Sequence, residues 1–115
     1  YVAGFIGKLT KMAMGIKQTH VKGSKVDMQF LSNLAQRCNA DKKIVDEVKK
    51  ANTARHVLEI ITKKNLVGFF DMICSEVYKH MRKYSENKLE VDVIMFDFDG
   101  KIIGRHPRQQ QISLV

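Results

Sequence analysis

A chain of 115 residues has the length of one domain, and its 44% hydrophobic and 28% charged residues match an ordinary globular protein. That balance excludes a disordered chain, and no run approaches the ~20 apolar residues that a membrane-spanning helix needs. The net charge of +8 narrows the expected partners to acidic ones: phosphate backbones, anionic lipid or acidic protein segments. Tyr1 is not an initiator methionine, so a soluble piece of a longer protein is expected.

From the start, Phe5, Leu9, Met12 and Ile16, with Ile6 and Ala13 beside them, show the three-and-four spacing of an amphipathic helix reaching about Gln18. Its polar face carries too little charge to hold it on a membrane, and no membrane partner is expected. Ser24, with Asp27 three residues on, reads as a cap for a second helix near Lys25, whose buried stripe is Met28, Leu31, Leu34, Ala35 and Cys38. Asp41 is placed to cap a third, with Ile44, Val45 and Val48 inward. Asn52 or Thr53 opens a fourth around Val57, Leu58 and Ile61, ending in Lys63 and Lys64. After Asn65, the pattern Leu66, Phe69, Phe70, Ile73, Val77 and Met81 predicts a fifth helix to about Tyr84, the strongest periodic signal in the chain.

Beyond residue 86 the character changes. Residues 91–96 favour a β-strand, Asp99-Gly100 is a hairpin turn, and Lys101-Ile102-Ile103 supplies a return strand. The predicted fold is therefore all-α: a compact bundle of about five helices over residues 1–86. A short β-prone or disordered tail follows over 87–115, with a hairpin at 91–104. An isolated hairpin is marginal in water, so this one needs a surface or a second copy of the chain.

Val93-Ile94-Met95-Phe96-Asp97-Phe98-Asp99-Gly100 resembles the first motif of haloacid-dehalogenase-type phosphatases, in which the two aspartates act as nucleophile and general acid. Only fourteen residues follow Lys101, and the helices upstream do not supply that family's parallel sheet. An Asp-based phosphatase fragment is thus a remote alternative, and the chain is expected not to be an enzyme. Cys38 and Cys74 occupy helical apolar positions, and His20, His56, His80 and His106 lack ligand spacing, so neither a metal nor a cofactor is expected.

Leu9, Met12 and Ile16-Lys17, Asp27-Met28, Leu31, Leu58, Ile61, Leu66, Phe69-Phe70, Val77-Tyr78-Lys79 and Met81 carry a resemblance covering residues 9–84. In order and spacing they are similar to the N-terminal domain of transcription elongation factor S and the integrase-binding domain of lens epithelium-derived growth factor. The resemblance implies a nuclear transcription or chromatin module whose two interhelical loops bind acidic, Phe-containing disordered peptides. The corresponding loops are residues 20–25 and 63–66, and Ser24 and Lys64 stand where the growth-factor domain has aspartate and phenylalanine. Val21, Lys22, Ser24, Lys25, Lys63, Lys64 and Leu66 become the candidate peptide-binding residues, lysines beside apolar anchors. Phe96, Asp97, Phe98 and Asp99 form a candidate ligand within the same chain. The alternative reading is a self-assembly module or one that contacts nucleic acid without sequence preference.

Overall fold

Three helix starts are fixed by short polar side chains that accept hydrogen bonds from otherwise orphaned first-turn amides. Asp27 Oδ1 accepts from Gln29 N at 2.9 Å, Asp41 Oδ1 from Ile44 N at 2.9 Å, and Thr53 Oγ1 from His56 N at 3.0 Å. The computed structural model describes residues 2–15, 27–86 and 91–107. Within them, β1 (Val2–Gly4) leads into α1 (Ile6–Ala13), followed by α2 (Met28–Arg37), α3 (Lys42–Lys50), α4 (Ala54–Lys64) and α5 (Phe69–Tyr84). β2 (Val93–Phe96) and β3 (Ile102–His106) complete the order. Asn65 closes α4 in the left-handed region at φ 54°, the C-terminal stop that a short polar side chain tolerates.

An all-α fold does not describe this molecule, which is α/β. β1, β2 and β3 form one mixed sheet in that order, β1 parallel and β3 antiparallel to β2. Val2 pairs with Val93 and Gly4 with Met95, and Val2 N donates to Asp92 O at 2.7 Å. The expected first helix is therefore shorter at its start. Residues 2–4 are extended because a partner some ninety positions away supplies their ladder, which local periodicity cannot register.

The hairpin is held on both of its resources. One edge of β2 pairs with β1, and the sheet's inner face packs on the helices. Val93 and Met95 are fully buried in one cluster with Ile6, Leu9, Leu31, Leu34, Val48, Val57, Ile61, Phe69, Ile73 and Val77. Each such Leu, Ile or Phe contributes roughly 1.5–3 kcal/mol by leaving water. β3 is fastened to α5 by Arg105 N donating to Asp71 Oδ1 at 2.8 Å and by the edge-on contact of His106 with Tyr78, centroids 4.7 Å apart.

Candidate functional site

β2 ends in a tight turn built by its own aspartate. Asp97 Oδ1 accepts from Asp99 N and from Lys101 N, both at 2.9 Å, and Asp97 N donates to Lys101 O at 2.8 Å. Gly100 completes the reversal at φ 85°, where a β-carbon would be strained. The motif that resembles a phosphatase nucleophile thus spends one carboxylate oxygen on backbone amides, as an Asx turn does.

The turn projects Phe98 away from the core. Its ring stacks on Phe5, centroids 4.9 Å apart and planes 25° from parallel, and the Arg55 guanidinium carbon lies 4.6 Å from its centroid. Phe5 is 48% and Phe98 42% exposed, so this stack stands at the surface. Phe5 was expected inside the first helix's buried stripe. It instead precedes α1 in extended backbone, and Ile6 takes the buried place.

Between α4 and the turn runs an open cleft of about 390 Å³. Its α4 wall is Arg55, Leu58, Glu59, Thr62 and Lys63, and its other wall is Asp97, Phe98 and Asp99. Arg55 Nε stands 3.9 Å from Glu59 Oε2, an exposed i,i+4 pair that contributes little to stability. The cleft therefore mixes two cations and three carboxylates over an apolar floor. A smaller hollow of about 220 Å³ shares Glu59 and Lys63 and extends to Glu47, His56, Ile60 and Lys64.

Of the residues singled out from the sequence, Lys63 meets Asp97, Phe98 and Asp99 in the larger cleft. Lys64 points to Glu47, Nζ to Oε1 3.9 Å, and Leu66 is half-buried against the core. Phe96 is half-buried at the end of β2. Val21, Lys22, Ser24 and Lys25 lie outside the described residues. Arg55, Glu59 and Thr62 were not singled out, although their spacing along one exposed face of the fourth predicted helix was readable.

Among the described residues no group of three or more His, Cys, Asp or Glu side chains is arranged to hold a metal ion. No described helix is long and apolar enough to cross a membrane. The two cysteines are free. Burial pushes the Cys74 thiol up to about 12, the Asp71 charge adds to the rise, and a hydrogen bond with the Met95 backbone partly opposes it.

A family profile described as "CbiD, C-terminal domain" matches residues 18–107. A cobalt-precorrin-5B C(1)-methyltransferase of Leptospira interrogans serogroup Icterohaemorrhagiae serovar copenhageni is 38% identical over 104 residues, 90% of this chain and 28% of the relative. Its counterpart in Leptospira borgpetersenii serovar Hardjo-bovis is 36% identical over 112 residues, covering 97% of the chain and 30% of the relative. That of Rubrobacter xylanophilus is 33% identical over 114 residues, 98% of the chain and 29% of the relative. The chain thus spans less than a third of these curated relatives. No solved structure matches.

These matches overturn the resemblance to elongation factor S and the growth-factor domain, together with the function drawn from it. The residues that carried it are mostly core positions, such as Leu9, Leu31, Ile61, Phe69 and Val77, which any helical layer of this size requires. Binding of acidic disordered segments, contact with nucleic acid, and a transcription or chromatin role lose their support. The relatives are bacterial, which removes the nuclear address, and they are named as methyltransferases, which overturns the expectation of a non-enzyme.

Proposed function

The chain belongs to the CbiD C-terminal domain family, and from that membership we propose that it is the C-terminal domain of a cobalt-precorrin-5B C(1)-methyltransferase of cobalamin biosynthesis. The observation carrying this reading is the match of 38% identity across 90% of the chain. A bacterial cytoplasm is the address it implies. Within such an enzyme the domain presents the cleft beside α4 to the reacting molecules.

Two physical features support that placement. A precorrin is a macrocycle bearing several carboxylates, and a domain of net charge +8 raises the local concentration of such an anion. Arg55 and Lys63 lie two turns apart on one wall of the cleft, while one oxygen of Asp97 is engaged by the two turn amides it accepts from. Exposed Arg55 and Lys63 meet carboxylate arms at the rim, Arg55 exchanging its weak surface pair with Glu59 for them.

The test is a methyl-transfer assay on the whole enzyme carrying this domain, with cobalt-precorrin-5B as acceptor, a sulfonium compound as the methyl donor and product mass as readout. The expected result is a gain of one methyl group, with KM raised roughly tenfold, about 1.4 kcal/mol, in the Arg55→Ala/Lys63→Ala double variant. Absence of methyl transfer by the folded whole enzyme would sink the reading.

A further inference from the structure

The sheet leaves one of its ends apolar and uncovered among the described residues. β1 runs parallel to β2 with Gly4 opposite Met95, so Phe5 stands level with Phe96. Phe96 is paired with Ile102 across the β2–β3 ladder, and Phe98 follows two residues later to stack on Phe5. The described residues include five strongly exposed large hydrophobic side chains, and three of them, Phe5, Phe98 and Ile102 at 50%, gather at this end. The other two, Val67 and Tyr84, belong to the α4–α5 connection and the end of α5. Isolated apolar residues on a surface need no explanation, but three converging beside a cleft mark a contact surface.

We propose that Phe5, Phe96, Phe98 and Ile102 form the surface on which the rest of the methyltransferase chain docks, so that the α4 cleft closes between two domains. The proposal rests on the reading of this chain as one domain of such an enzyme. Its occupant follows from length and charge. The relatives are more than three times as long as the matched region, so in such an enzyme a body larger than this domain is tethered beside it. The net charge of +8 fits a partner face that is apolar at its centre and carboxylate-bearing at its edge. Ligand sites form preferentially at domain interfaces, and here the open side of the cleft adjoins the apolar rim. A hairpin turn stiffened by Asp97 gives that interface a fixed edge.

Hydroxyl-radical footprinting of the whole enzyme reads the side chains directly, with methyl transfer measured on the same sample. The expected result is that Phe5, Phe98 and Ile102 are oxidised several-fold more slowly than their exposure in this domain predicts, while Tyr84 and Val67 are labelled freely. Ile102→Lys in the whole enzyme should restore labelling of Phe98 without changing the circular dichroism spectrum. Labelling of Phe98 at the rate set by Tyr84 overturns the proposal, even if methyl transfer proceeds. Protection that appears only as protein concentration rises, with a dimer mass by light scattering, also overturns it by assigning the face to a second copy. Protection of the rim in a monomer that transfers no methyl group upholds the docking face and defeats the activity instead.

Discussion

Gly104 on β3 lies so close to Phe70 on α5 that a β-carbon at position 104 would stand 2.8 Å from Phe70 Cβ and 2.9 Å from its carbonyl carbon. Two of the nearest atoms are backbone, so the helix cannot yield by a side-chain rotation. Gly104→Ala must therefore push β3 off α5, straining the contact through which Arg105 N reaches Asp71. The expected loss is about 1–3 kcal/mol, read as a lower midpoint in urea unfolding. An unchanged midpoint would show that the sheet does not sit this close to the helix.

Asp97 is assigned to turn architecture, and its two backbone partners give the assignment a measurable form. Asp97→Asn keeps an oxygen acceptor and is expected to cost under about 1 kcal/mol, whereas Asp97→Ala frees two amides to water and costs roughly 1–2 kcal/mol. Equal losses for the two variants would show that the charge, and not the acceptor, holds the turn. Thermal unfolding of the pair distinguishes these outcomes.

The helices were largely legible because their information is local. Asp41 and Thr53 announce two starts, Asn65 a stop, and the spacing of Phe69, Ile73 and Val77 an inward stripe. The sheet was only half legible. Residues 91–96 and 101–103 read as a hairpin around Asp99-Gly100, but Val2-Ala3-Gly4 is too short for a two-residue period to emerge, and its partner is distant in sequence. Without β1 the hairpin looked like an appendage, and the fold class was misread. At the candidate site, Lys63, Asp97, Phe98 and Asp99 stood out by chemistry, each for a reason unrelated to the cleft that joins them. Arg55 was passed over because a lone arginine on a solvated helix face has no distinguishing pattern.

Cys74 makes a pH prediction whose sign follows from its environment. The folded thiol, at about 12 against an ordinary 9.0, holds its proton more tightly than the unfolded one. Its contribution to stability is complete below pH 9 and is lost as pH rises through about 12. Native protein at pH 8 should alkylate at Cys38, which is only half-buried, well before Cys74, which should react at the rate of unfolding. Rapid labelling of Cys74 in the native state would mean that β2 opens readily from α5.

Glycine at position 7 is the converse of Gly104. It lies within α1, its φ is unexceptional, and an added β-carbon would meet only Ala54 Cβ at 3.9 Å, an ordinary van der Waals contact across to α4. Gly7→Ala therefore removes unfolded-state freedom without forcing either helix to move, and it adds a small apolar contact. The expected gain is about 0.4–1 kcal/mol, with Tm rising by a few degrees. Gly68 supplies the control, since its φ of 89° strains any β-carbon even though nothing stands within 4 Å, so Gly68→Ala should lower Tm. If Gly7→Ala also lowered it, the α1–α4 packing would have to be tighter than the 3.9 Å contact allows, and the wall that carries Arg55 would be displaced with it.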